Sequence, residues 1–221
     1  MSLRRPTEAV LVAGLGRFGS SVATSLADLG TDVLAVDSSP RRVQEFAHLV
    51  AHAAELDATD PEALRQVGVA DLARAVVGMG DDMEASILTV AALADLGVRE
   101  IWAKAVTTAH ARILERVGAH HVVRPEYDMG ERVANIIRGR LLDYVEIDED
   151  FVLVETAPPP EAVGRSLGEV GLRRRYDVTV VGVKPRGGSF SYATQETVVQ
   201  AGDVLLVAGH PTAVRRLTDA G

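Results

Sequence analysis

Cysteine is absent from the 221 residues. That excludes a disulfide framework, a thiolate zinc site and a cysteine nucleophile, and it fits a reducing compartment. Lysine is nearly absent as well: Lys104 and Lys184 are the two, so almost all positive charge is arginine. Lysine and arginine together number 23 against 31 acidic residues, a formal charge of −8. This balance lacks the basic footprint that phosphate backbones demand, so no nucleic-acid partner is expected. The longest apolar runs, such as 9–13 and 204–208, are strand-sized, well short of the ~20 residues of a membrane span. The polar start, residues 1–8, carries two arginines and no apolar core of a secretory leader. Catalytic signatures are missing too: no GxxxxGK[ST] loop, no HExxH, and no tyrosine followed four residues later by lysine. The histidines (His48, His52, His110, His120, His121 and His210) show no ligand spacing. No catalytic centre is expected, and the chain reads as a non-enzyme.

What is present is order. With 47% hydrophobic residues, a chain of this length buries roughly 70% of its unfolded surface and needs no staple. Short β-branched runs at 9–13, 32–36, 50–55, 74–78, 100–106 and 121–123 alternate with amphipathic segments at 16–29, 40–47, 61–67, 83–96 and 109–117. Phe18, Val22, Leu26 and Leu29 predict one apolar helix face. Pro40 and Pro61 suit first helical turns, with Ser39 and Asp60 as caps. The alternation predicts an α/β fold, a Rossmann-like doubly wound parallel sheet. A further helix is predicted over 128–142, with Met129, Val133, Ile136, Ile137 and Leu141 on one side. Beyond it the pattern changes to short strands at 151–156, 178–184, 189–192 and 204–209 with turn signals between them. This predicts a second, smaller α+β domain. The expected boundaries are 1–143 for the first domain with its crossover helix and 144–221 for the second. The second is small enough to be marginal alone, so it is expected to pair with a copy of itself.

Gly14-Leu15-Gly16-Arg17-Phe18-Gly19 follows the first strand and opens the first helix. Gly14 permits the tight turn, Gly16 lets backbone approach a pyrophosphate, and Gly19 lets the helix pack on the strand. The helix N-terminus adds unpaired N–H groups for phosphate. Asp37 ends the second strand, 18 residues past Gly19, where a carboxylate can take both ribose hydroxyls, or else cap the next helix. An acid there disfavours a 2′-phosphate. Asp57, Ala58 and Thr59 line an adenine or cap the helix at Pro61; Gly78, Met79 and Gly80 allow close approach or simply turn the chain. Lys104 is read as a phosphate partner. Arg17 inside the loop suits a triphosphate. Glu126 near a polyphosphate needs a divalent cation between them, and a plain surface salt bridge is the alternative for both.

These strings resemble an RCK (regulator of potassium conductance) domain of the KtrA/TrkA potassium-uptake type. The resemblance rests on Val12-Ala13-Gly14-Leu15-Gly16-Arg17-Phe18-Gly19, Leu34-Ala35-Val36-Asp37, Ile101-Trp102-Ala103-Lys104-Ala105, Arg124-Pro125-Glu126-Tyr127-Asp128-Met129-Gly130 and Ala201-Gly202-Asp203-Val204-Leu205. It implies a cytoplasmic gating subunit, peripheral on the inner face of the cell membrane, whose dimers form an octameric ring under a membrane-embedded K⁺ (or Na⁺) channel or transporter. It implies ATP/ADP as the sensed ligand, with NAD(H) in TrkA-like relatives. Asp37 then holds the ribose, Asp57 and Ala58 lie near the base, and Gly16, Arg17 and Lys104 face the phosphates. Arg17 reaches a γ-phosphate across a subunit interface, and Glu126 holds Mg²⁺ or another divalent cation. Some relatives bind cyclic di-AMP in the second domain around the position of Arg173. The run Leu172-Arg173-Arg174-Arg175-Tyr176 carries more arginine than that pattern, and a solvated charge run or an oligomer contact is the alternative. By the residues alone, a small NAD-dependent oxidoreductase also stays open.

Overall fold

The computed structural model describes residues 7–137 and 142–219, and the chain divides into two compact units between Glu126 and Tyr127. The first unit alternates strand and helix: β1 (Thr7–Ala13), α1 (Arg17–Asp28), β2 (Val33–Asp37), α2 (Pro40–Phe46), β3 (His52–Glu55), α3 (Pro61–Gln66), β4 (Leu72–Val77), α4 (Met83–Asp95), β5 (Glu100–Lys104), α5 (Thr108–Val117) and β6 (His121–Val123). The strands form one sheet in the order β3-β2-β1-β4-β5-β6, and every pair in it is parallel. Direction of winding reverses between β1 and β4. At such a switch point the loops leaving the carboxyl ends diverge and open a crevice.

Successive strand residues face opposite sides, so β1 feeds two cores. Leu11 and Ala13 pack with Val77, Val90, Leu93, Ile101 and Leu114; Val12 packs with Leu15, Ala23, Val33 and Ala35 on the other side. The α1 contact differs from the predicted apolar face. Its buried residues are Gly19 and Ala23, whereas Leu29 is 81% exposed past the helix end. Small residues win because this helix is drawn close to β1, leaving the larger side chains to flank the contact.

Helix α6 (Pro125–Ile137) spans the division. The predicted segment 128–142 is helical through Ile137; its positions 138–141 lie outside the described residues. From Tyr127 onward the helix groups with the second unit, whereas the sequence reading kept it with the first. A physical tie is Arg132, which donates two hydrogen bonds of 2.9 and 2.8 Å to the Asp143 carboxylate.

The second unit comprises β7 (Asp143–Asp148), β8 (Phe151–Thr156), α7 (Leu167–Val170), α8 (Leu172–Tyr176), β9 (Val178–Lys184), β10 (Ser191–Tyr192), β11 (Val204–Gly209) and α9 (Pro211–Asp219). Its sheet is antiparallel, ordered β10-β9-β11-β8-β7. Val152, Val154, Leu205, Val207, Val214 and Leu217 form its core. Ser166 and Glu169 cap α7 reciprocally, two bonds that fix the start of this four-residue helix. Strand β7 was not foreseen. It is an edge strand with Glu146, Ile147 and Asp148 all exposed, so it lacks the buried alternation by which strands are read.

Candidate functional site

The crevice at the carboxyl edge of the parallel sheet is a cleft of about 520 Å³. Backbone builds its floor. Gly14 turns the chain with φ +89°, its N–H donating to the Val36 carbonyl at 2.8 Å, while the Gly78 N–H donates to the Ala13 carbonyl at 2.8 Å. A Cβ on Gly19 would overlap the Gly14 carbonyl oxygen, and one on Gly78 would lie 3.0 Å from that same oxygen. Three glycines therefore let two strand ends and a helix start meet at one point. Gly80 serves a side chain instead: a Cβ there would sit 3.0 Å from Lys104 Cε.

Gly16 is different. Its φ is −69°, open to any residue, and a Cβ built on it meets nothing within 4 Å. The fold does not need glycine here. What glycine preserves is room in the cleft above the N-terminus of α1.

Asp37 is 6% exposed. Its Oδ2 accepts the Leu15 N–H at 2.7 Å and its Oδ1 the Ser39 N–H at 2.8 Å. The Arg42 guanidinium adds a contact of 3.3 Å to Oδ2. The carboxylate thus ties the glycine loop to the start of α2, and Ser39 makes no side-chain cap, contrary to expectation; Asp37 accepts the N–H of Ser39 itself. Asp57 Oδ1 accepts both the N–H (2.9 Å) and the hydroxyl (2.8 Å) of Thr59. These bonds, the backbone one foremost, hold the Asp57 carboxyl below the usual carboxylate range. The cap of α3 is Asp60, which accepts from Glu62 N–H at 2.9 Å.

The cleft brings together Gly14, Gly16, Asp37, Asp57, Ala58, Thr59, Gly78, Met79 and Gly80. Arg17, Phe18, Gly19 and Lys104 stand outside its lining. Phe18 is half-buried on α1 and Arg17 is exposed. Lys104 has a partner within the chain: its Nζ lies 2.7 Å from Glu126 Oε1. That hydrogen bond first, with the charges of Lys104 and Arg17 behind it, holds the Glu126 carboxyl below its ordinary range. The salt-bridge alternative for Glu126 is therefore what the single chain contains. A divalent cation takes about six or more oxygens. Among the described residues no three His, Cys, Asp or Glu side chains are grouped to hold one, so Glu126 fits a cation where phosphate and water oxygens complete the set.

Sequence reasoning passed over Arg42, Asp81, Asp82, Glu84 and Leu88, which also line the cleft. Arg42 carried a usable signal, since the first turn of the helix after the acid-terminated strand faces the same crevice. Asp82 N-caps α4 by accepting from Ala85 N–H at 3.0 Å. In the second unit Arg173 shares a separate hollow of about 420 Å³ with Arg174, Thr179, Thr194 and Gln195. Arg175 turns instead to Glu161 at 3.6 Å, which also accepts the Tyr176 hydroxyl at 2.6 Å.

Family comparison accounts for both units. Residues 10–125 match the TrkA-N domain and 151–220 the TrkA-C domain. Over 93% of both chains the sequence is 36% identical to "Ktr system potassium uptake protein C" of Bacillus subtilis. It is 33% identical to "Ktr system potassium uptake protein A" of Vibrio alginolyticus over 90% of both. The GsuK RCK domain superposes with a TM-score of 0.69 over 96% of this chain at 20% identity. The chain spans about half the length of that structure, 47%, and at this identity the likeness speaks for the fold. A GsuK channel solved with NAD gives a TM-score of 0.69, and GsuK solved with ADP gives 0.50 over 60% of this chain. A TrkA-N domain followed by a TrkA-C domain on an RCK fold, with relatives matched almost end to end, means that the chain belongs to the family of the Ktr system potassium uptake proteins.

Proposed function

We propose that the chain is a nucleotide-sensing regulatory subunit of a membrane cation-uptake system, without catalytic activity of its own, and that its cleft takes ATP or ADP. The observation that carries this is Gly16: a glycine that the fold does not require, at the N-terminus of α1, keeping space open where backbone N–H groups can meet phosphate. The potassium-uptake role comes from the names of the relatives. No helix among the described residues is long and apolar enough to cross a membrane, so the pore would belong to a partner, with this chain against its cytoplasmic side.

In this reading Asp37 receives the ribose, Asp57 to Thr59 border the base, and Arg17, exposed and outside the cleft lining, meets the γ-phosphate of a nucleotide held by a neighbouring copy. A ligand shifts a conformational equilibrium only through a difference in affinity between states, and the γ-phosphate supplies that difference. Lys104 can keep one N–H on Glu126 and offer its remaining donors to phosphate. A divalent cation enters the proposal at the exposed carboxylate of Glu126, as a bridge to phosphate that supplies positive charge. Assembly into a ring of dimers is supported by the exposed apolar side of α6, where Met129, Val133 and Ile137 are 53, 43 and 77% exposed. Cyclic di-AMP stays a proposal for the hollow beside Arg173 and Arg174. The carboxylate at the end of β2 suits any adenosine ribose, so it serves the NAD(H)-sensing reading as well as the ATP/ADP one.

Thermal unfolding with ATP, ADP, NAD⁺ and NADH, with and without Mg²⁺, on the parent and Arg17→Ala tests the reading. A ligand at 100 times its Kd adds about 2.7 kcal/mol, a rise in Tm of roughly 5–10 °C. The expected result is a larger shift with ATP than with ADP, and an excess that Arg17→Ala erases. A shift with NAD⁺ or NADH alone would overturn the ATP/ADP assignment.

A further inference from the structure

The position of Arg42 at Asp37 conflicts with a ribose. Each carboxylate oxygen offers two lone-pair sites. At Asp37, Oδ2 already accepts Leu15 N–H at 2.7 Å and Arg42 Nη1 at 3.3 Å, whereas Oδ1 accepts only Ser39 N–H at 2.8 Å. One site remains, on Oδ1. A ribose donating both hydroxyls to the two oxygens needs the place that Arg42 holds.

The partners differ in how easily they leave. Leu15 and Ser39 donate from backbone fixed by the glycine loop and the start of α2. Arg42 donates from a long side chain that is 48% exposed, against 5% for the Asp37 side chain, and pairs of that kind exchange readily with water and ligand. Released, its guanidinium stays at the cleft, because Arg42 is part of the wall that also includes Leu56, Ala58 and Thr59 from the segment after β3. A planar cation on one wall and small apolar groups on another suit a flat aromatic ring between them.

We propose that Arg42 is a specificity-determining residue of the nucleoside end: it gives up the Asp37 carboxylate to the ribose and lies against the base. This rests on the reading that the cleft takes a nucleotide. It makes two demands. The base contributes to affinity through Arg42, and the ribose diol is charged for displacing it.

Calorimetric titration of the full chain, parent and Arg42→Ala, with ATP, with 2′,3′-dideoxy-ATP and with base-less ribose 5-triphosphate, tests both. Arg42 is exposed and holds no core contact, and circular dichroism with the parent melting profile verifies that the variant folds. The preference for ATP over ribose 5-triphosphate should fall about fivefold or more in Arg42→Ala, the size of a cation–π contact in a partly dried site. The preference for ATP over the dideoxy analogue should rise, since the diol no longer competes with a guanidinium. An unchanged base preference, or equal losses for ATP and ribose 5-triphosphate, overturns the inference and makes Arg42 a general phosphate attractant. Tighter NADP⁺ than NAD⁺ binding that Arg42→Ala abolishes overturns it too, by giving the guanidinium a 2′-phosphate. A parent that binds no adenine nucleotide sinks the nucleotide reading itself.

Discussion

The cleft of the first unit and the carboxylates Asp143 and Glu161 of the second are held by different balances of main chain and side chain. At the cleft of the first, main chain does most of the holding: Gly14, Gly19 and Gly78 interlock, and Asp37 is fixed by two backbone N–H groups. In the second, side chain meets side chain, as in Arg132 with Asp143 and Tyr176 and Arg175 with Glu161. The first arrangement admits few substitutions, because no rotamer can relieve a clash with backbone. The second tolerates drift, because long side chains find other partners. A ligand site whose shape must persist belongs in the first kind of unit.

The strongest way to break this contrast is to damage one unit and ask whether the other notices. Leu205→Ala, at a fully buried core position of the second unit, should cost about 2–5 kcal/mol. Urea unfolding should show an early transition for that unit, while nucleotide affinity at the cleft stays at the parent value. One merged transition with loss of binding would mean that the units are not energetically separate. Gly19→Ala forces a methyl onto the Gly14 carbonyl, and the expected cost is about 1–3 kcal/mol. Here stability and nucleotide affinity should fall together, read by denaturation and titration of the same variant.

Gly16→Ala sharpens the contrast within the loop. It should cost under about 1 kcal/mol, the scale of a changed N-cap, yet weaken nucleotide binding roughly tenfold by losing a charge-assisted phosphate contact. Equal affinity for parent and variant would remove the principal support for a phosphate at that point. The smallest effect is acidic. The Tyr144 N–H foremost, then Arg132, hold the Asp143 carboxyl below its usual range. Its folded value being depressed, its contribution is present above the ordinary aspartate range and is lost as pH falls through the folded value. Arg132→Met should therefore lower the second unit's stability slightly at neutral pH and flatten its acid limb, parent and variant converging at the lowest pH, as followed by unfolding at stepped pH.

Much of the first unit was legible because its signals are local. A glycine spacing, an acid at a strand end and alternating periods each fit within about 20 residues, and they mark the cleft from Gly14 to Gly80. Partnership was not legible. Lys104 and Glu126 each invited a ligand when read singly, yet parallel neighbours bring them 2.7 Å apart. Arg42 escaped notice because its meaning depends on which oxygen of Asp37 it meets. The missed β7 has the same origin: its register against β8, with Tyr144 opposite Val154, is what makes it a strand, and edge exposure hides that from periodicity.

Asp37 also has a mechanical consequence. One carboxylate fastens residue 15 of the glycine loop, residue 39 of the following turn and residue 42 of α2, so it works as a rivet through three separate pieces of chain. Whatever tugs on a ligand at that rivet tugs on the glycine loop as well. The two ends of a bound nucleotide would then be gripped by one clasp, and neither end could be loosened without slackening the other.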